Sequence, residues 1–226
     1  MSQEENNDLN VEVFINRPFG PRVLTADIPP QWIDAFNKHC DKLIKLKDKK
    51  KYDASGYLVG HVQEELTCDL NDDTLSPFGH FISNATSAFF NEFNAEQNVT
   101  NPPKLESVHI NRAWFVRSFK GDYNPTHIHT NCHLSCVLYL KVPDSIGDKN
   151  YRNKKEWYTT EGYIDFLNGG TDILTSGKWV QKPKVGKVYL FPHNLMHTVY
   201  PFFGNGERRT FSCNLECKFD LDNFSG

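Results

Sequence analysis

Residues 207–219 read ERRTFSCNLECKF, and their alternation decides the fold class. On an extended chain Arg208, Thr210, Ser212 and Asn214 share one face, with Arg209, Phe211 and Cys213 on the other. A polar face of this kind inside a sandwich is costly unless it binds something. An arginine with a hydroxyl two residues on suits a carboxylate, because the guanidinium forks onto both oxygens. The alternative is that this face is solvated and the Phe211 face alone is core. Upstream, strand-like periodicity recurs at 186–191, 162–167, 134–142 and 105–119, separated by Gly, Pro, Asn and Asp clusters. Several short strands without long helices between them predict a mainly β, antiparallel sandwich or barrel.

The first 104 residues have a different texture. A short alternating run around Val11, Val13 and Ile15 predicts one strand. Pro29 and Pro30 then open a helical pattern carried by Trp32, Ile33, Phe36, Cys40, Leu43 and Ile44, ending in a lysine-dense patch at 45–51 that reads as a solvated helix C-terminus. A second helix is expected over 73–95, capped by Asp73 or Thr74, with Phe78, Phe81, Ile82, Ala85, Phe89 and Phe93 as its core stripe. The expected organisation is one domain over 1–226. In it 1–104 supplies a strand and supporting helices, and 105–219 forms the catalytic core.

Composition narrows the partners. The 226 residues carry 25 basic and 28 acidic side chains, a net charge of −3, so a dedicated nucleic-acid binder is not expected. No stretch approaches the roughly 20 apolar residues of a membrane helix. The polar, acidic opening MSQEENNDLN is unlike a signal peptide, and a cytoplasmic protein is expected. Six cysteines in such a chain read as free thiols. Cys132 with Cys136 and Cys213 with Cys217 are spaced i,i+4, about 13 Å on a strand, too far to ligate one ion.

The nine histidines carry the chemistry. His39, His61, His80 and His109 are scattered and read as packed or surface residues. The cluster His127, His129 and His133 and the pair His193 and His197 are different, and in His127-Ile128-His129, on an extended chain, the two imidazoles project from one face, about 7 Å apart along the strand. A third ligand must come from elsewhere, and His197, which follows the apolar strand KVYLFPHNLMH, is the leading candidate. Three imidazoles suit zinc, copper, iron or nickel, so residue type leaves the metal open.

Taken together, DYNPTHIHTNCHLSCVLYLKVP, GYIDFL, VGKVYLFPHNLMHTVYP and ERRTFSCN resemble the iron(II)- and 2-oxoglutarate-dependent oxygenase superfamily, in particular the bacterial and phage group of its prolyl-4-hydroxylase-like branch. The resemblance covers roughly residues 105–219. It implies a double-stranded β-helix, or jelly roll, with flanking N-terminal helices. It also implies a dioxygenase that hydroxylates its substrate with release of succinate and CO2, using Fe(II), 2-oxoglutarate and O2, with ascorbate as an accessory reductant. His127 and His129 fall on the first two metal positions and His197 on the distal one. Arg208 matches the arginine that holds the far carboxylate of 2-oxoglutarate, with Thr210 as the accompanying hydroxyl. Tyr139 matches a tyrosine that reaches the same cosubstrate, and Ser212 shares the Arg208 face. The usual second position is a carboxylate. With His129 there, either Asp122 supplies the carboxylate or the ion sits on three neutral imidazoles.

The prime substrate is not legible: a protein, a peptide or a small molecule is compatible, and peptidyl proline is the analogy the branch offers. The loops at 143–183 and the surface around Trp114, Arg117 and Trp157 are expected to decide it. Two further readings fit the same residues. One is a non-catalytic jelly-roll module that binds a metal or 2-oxoglutarate; the other is a zinc-dependent hydrolase on the same three histidines, for which Arg208 would have no use.

Overall fold

The computed structural model describes residues 11–16, 20–70, 73–97, 103–147, 160–173 and 176–220. Its strands are β1 (Val13–Asn16), β2 (Val23–Asp27), β3 (Glu64–Thr67), β4 (Lys104–Ser118), β5 (Asn124–His127), β6 (Leu134–Lys141), β7 (Ile164–Leu167), β8 (Lys178–Gln181), β9 (Lys187–Pro192), β10 (Met196–Val199) and β11 (Arg208–Asp220). Two helices, α1 (Pro30–Lys45) and α2 (Ser76–Gln97), lie among the N-terminal strands. Every strand pairing is antiparallel, in a seven-stranded sheet ordered β1-β2-β9-β6-β11-β4-β3 and a four-stranded sheet ordered β5-β10-β7-β8. Two antiparallel sheets are what the strand pattern predicts, and they fit the jelly roll that the resemblance implies. Among the described residues no helix is long and apolar enough to cross a membrane.

The large sheet is buried on both faces, for different reasons. On one side Phe211, Cys213 and Leu215 of β11 and Phe115 of β4 meet α1 and α2. There Phe36 is fully buried, with its ring 4.5 Å from Phe211 and 5.1 Å from Phe78. Pro30 starts α1, where its missing N–H leaves no gap in the hydrogen-bond ladder, and Lys42 and Lys45 sit in its last turn, favourable to the helix dipole. The second helix begins at Ser76, after a 3₁₀ turn over Asp73–Leu75, three residues later than its polar cap suggested.

The other face of the large sheet meets the small sheet through Tyr139, Tyr189, Phe166 and Phe191. Toward one end of this layer apolar side chains give way to polar ones, and a cavity opens. The N-terminal half supplies three strands to the large sheet rather than one: β1, β2 and the edge strand β3. All six cysteines are buried free thiols.

Outside the cavity, on the α1 side, an ion-pair network ties β4 to β11. Glu207 accepts from Arg117 Nε at 2.7 Å and Arg209 Nε at 2.8 Å, and Arg209 also pairs with Asp41 of α1 at 2.8 Å. These links hold the Glu207 carboxyl below the ordinary carboxylate range against a burial effect that pushes it up.

Candidate active site

Three histidines meet at the cavity. Strand β10 pairs with β5 so that His197 lies directly across from His127, and β7 places Phe166 on the other side of His197. His129 follows β5 in irregular chain. One ring nitrogen from each of the three falls within 4.8 Å of the others. The Nδ1 of His127 is 2.7 Å from the Pro125 carbonyl and that of His197 is 3.0 Å from the Leu195 carbonyl. These contacts fix both rings with Nε2 pointing to the common centre. The Nε2 atoms of His129 and His197 are 3.3 Å apart.

The electrostatics suit a cation. Burial lowers the pKa of all three rings: His127 somewhat, His197 strongly, and His129 to about 4 with His127 and His193 adding repulsion. Each imidazole is therefore neutral at pH 7, with a lone pair to give. Two nitrogens bound to one ion at about 2.1 Å each stand about 3 Å apart, which is close to the observed spacing. Asp122 does not complete the set. Its carboxylate accepts the backbone N–H groups of Gln63 and Phe119, at 2.9 and 2.8 Å, and it lies outside the cluster. The site is built from imidazoles alone among the described residues.

Across the same cavity stands Arg208, 3% exposed. Its Nη1 donates to the Gly162 carbonyl at 3.1 Å and its Nη2 to Ser118 Oγ at 3.0 Å, while Nε is buried without a partner. Burial works against the charge, and only Tyr139 and Asp122 act at a distance to favour it. The contrast with Arg209, one residue on and satisfied by two carboxylates, is plain. Tyr139, Thr210, Ser212 and Asn214 line the cavity with Arg208, so the polar face of β11 is an interior, ligand-facing surface rather than a solvated one. Ser135 Oγ donates to Asn214 Oδ1 at 3.1 Å and holds it in place. Burial pushes the Tyr139 hydroxyl up to about 12, so it stays a donor.

Other side chains support the cluster in roles that sequence spacing did not assign. His193 Nδ1 lies 2.9 Å from the His129 carbonyl, and the His129 N–H donates to the His193 carbonyl at 2.8 Å. His133 Nδ1 in turn accepts the Cys217 N–H at 3.0 Å. These two histidines set the backbone that carries His129. Trp114 packs its ring 5.9 Å from that of His129. Glu65 of β3 also lines the cavity. Trp157 lies outside the described residues, as do the rest of 148–159 and residues 174–175 of the 143–183 segment.

Residues 112–214 match the family model described as "Putative 2OG-Fe(II) oxygenase". Over these residues the chain is similar to the 2OG-Fe(II) oxygenases. The match runs from Arg112 of β4 to Asn214 of β11 and so takes in the three histidines, Tyr139, Arg208 and Thr210. Solved structures similar to this chain include a prolyl-4-hydroxylase from Pseudomonas putida, at 14% identity over 84% of this chain and 89% of that one, with a TM-score of 0.51. Another is AviO1 from Streptomyces viridochromogenes, at 11% identity over 85% of this chain and 89% of that one, with a TM-score of 0.54. At these identities the likeness is one of fold. No curated protein sequence matches the chain.

Proposed function

We propose that the chain is an Fe(II)- and 2-oxoglutarate-dependent dioxygenase that hydroxylates a substrate held in the jelly-roll cavity. His127, His129 and His197 would hold the iron, and Arg208, Thr210, Tyr139 and Ser212 the cosubstrate. The observation that carries this reading is the pairing of two features in one cavity. One is a cluster of neutral imidazole nitrogens; the other is a buried guanidinium that no carboxylate of the described residues neutralises.

Iron(II) bound there would supply activation of O2 coupled to oxidative decarboxylation of 2-oxoglutarate to succinate and CO2. The chain's own part is positional. The Nδ1 contacts of His127 and His197 keep their lone pairs on the centre without rearrangement. Three neutral ligands leave the ion's double positive charge undiminished, which favours a dianionic cosubstrate. Arg208 stands ready with its Nε free, and Thr210 and Tyr139 offer hydroxyl donors beside it. Phe166, Phe191 and Trp114, around the histidines, limit water there.

Ascorbate would serve as an accessory reductant that keeps the iron ferrous. A cytoplasmic setting, where six buried thiols stay reduced, belongs to the same proposal. Peptidyl proline, suggested by the Pseudomonas protein's name, is the reference substrate to assay. Arg208 favours this reading over a zinc hydrolase, whose chemistry needs no buried guanidinium beside the metal.

The test is anaerobic titration of the metal-free protein with Fe(II) and then 2-oxoglutarate. A visible charge-transfer band is expected in the wild type and absent in His197→Ala. Tight zinc binding with no such band would overturn the reading in favour of the hydrolase. A band without 2-oxoglutarate-dependent O2 uptake would favour the non-catalytic module.

A further inference from the structure

Glu64 and Glu65 are neighbours on β3 with opposite surroundings. Glu64 faces away from the cavity and is satisfied twice, by Lys49 at 2.6 Å and Arg117 at 2.5 Å. Glu65 pairs across the sheet with Val116, turns into the cavity and is 3% exposed. Its carboxyl has no hydrogen-bond or ion-pair partner among the described residues.

A second acceptor stands beside it. Asn124 Oδ1 is buried and also unpartnered. Both oxygens close over Gly60 at the cavity wall: an added Cβ there would fall 2.8 Å from Asn124 Oδ1 and 2.9 Å from Glu65 Oε1, too close to fit without displacing them. The Gly60 segment is held there by His61 and Tyr123, which exchange backbone hydrogen bonds of 2.9 and 3.0 Å and stack their rings at 5.2 Å.

A buried acceptor beside a carboxyl at one cavity wall, neither with a protein donor among the described residues, is an arrangement that a donor-rich ligand would relieve. Burial, with like-charge repulsion from Asp53, pushes the Glu65 carboxyl up to about 7, as expected of an acid with no positive partner. The chain's own nearby cation is engaged elsewhere: the Arg112 guanidinium lies over the Tyr57 ring, 5.0 Å from its centroid.

The register sets this pair of acceptors on the same wall as the cosubstrate anchor. Glu65, Val116, Thr210 and Tyr139 form one row across β3, β4, β11 and β6. Glu65 therefore lies two strand spacings, roughly 10 Å, from Thr210. Leu58, Val59 and Val116 provide apolar surface along the way.

We propose that Glu65 and Asn124 form a recognition subsite for a protonated nitrogen of the prime substrate, an ammonium or guanidinium on an aliphatic stem. The substrate class is then a lysine- or arginine-like amine or guanidine, and oxidation falls on the stem between the charged nitrogen and the rest of the molecule. This inference rests on the oxygenase reading for its chemistry, although the subsite itself does not need iron.

The test is calorimetric titration of the metal-free protein with L-lysine and L-arginine against their neutral counterparts L-norleucine and L-citrulline. Capped peptides containing Lys, Arg or Pro are run in parallel. Cationic ligands should bind at least tenfold more tightly than neutral ones, and the free and peptide arms then identify the source of the nitrogen. Glu65→Gln, which removes the charge, and Gly60→Ala, whose methyl displaces both oxygens, should each abolish the preference. If one variant does not fold, the other decides. Equal binding of neutral ligands, tighter binding of the proline peptide, or a preference that survives in the folded variants would overturn the subsite. In the wild type, an iron–2-oxoglutarate band without cation preference defeats only the subsite. Cation preference without the band defeats only the oxygenase reading.

Discussion

Replacing Glu65 with Gln should stabilise the unliganded protein, and the gain should grow with pH. The Glu65 carboxyl titrates near 7 when folded against an ordinary value of 4.5. The native state thus holds this proton more tightly than the unfolded chain. Stability from this group is greatest below the unfolded value, declines as pH rises through the window between the two, and levels off above 7. A shift of this size corresponds to roughly 3 kcal/mol, and the opening of the cavity to solvent reduces the expected figure to about 2 kcal/mol. Glutamine keeps the shape without the proton, so titrations shared by the two proteins cancel. The assay is urea unfolding of wild type and Glu65→Gln near pH 5 and near pH 8. The wild type should lose about 2 kcal/mol relative to the variant between these conditions. Parallel pH dependence, or a wild type that gains on the variant as pH rises, would show that the carboxylate has a positive partner and would refute the argument.

Arg208→Ala should raise the 2-oxoglutarate concentration needed for half-maximal succinate release by on the order of a hundredfold, the worth of one or two charge-assisted hydrogen bonds. An unchanged requirement would remove Arg208 from the cosubstrate site. Phe36→Ala, far from the cavity, should cost about 3–5 kcal/mol in urea unfolding, because it empties the centre of the aromatic cluster with Phe78, Phe115 and Phe211. A loss well below that would mean that α1 closes onto the sheet.

The long elements were legible because each has at least one apolar face. The 105–119 and 207–219 readings became β4 and β11, and the pattern opened by Pro29 and Pro30 became α1. What escaped was the short strands that line the cavity. β3 reads EELT and β5 reads NPTH, and neither shows hydrophobic alternation. Their inward residues face a polar cavity rather than a packed core, so the signal by which strands are recognised is absent where the site lies. His197 was anticipated just beyond a strand and lies within one, β10, whose four residues MHTV are too few to establish a period. The histidine cluster was legible in outline through HxH and the distal histidine. The roles of His193 and His133 were not, since a side chain that steadies a neighbouring backbone leaves no spacing rule behind. Asp122 illustrates the reverse: its place in sequence suggested a ligand, and two backbone N–H groups claim it instead.

Arg208 and Arg209 stand back to back on β11, one in the cavity and one in the ion-pair network beneath α1. A slip of one residue in this strand would still deliver an arginine to the cavity, so the guanidinium alone does not specify alignment. The same slip would turn Phe211 and Cys213 toward the ligand and press Ser212 and Asn214 against the helices. The oily side of the strand therefore guards the alignment of its ligand-binding side. Any insertion or deletion tolerated within β11 would have to come in pairs.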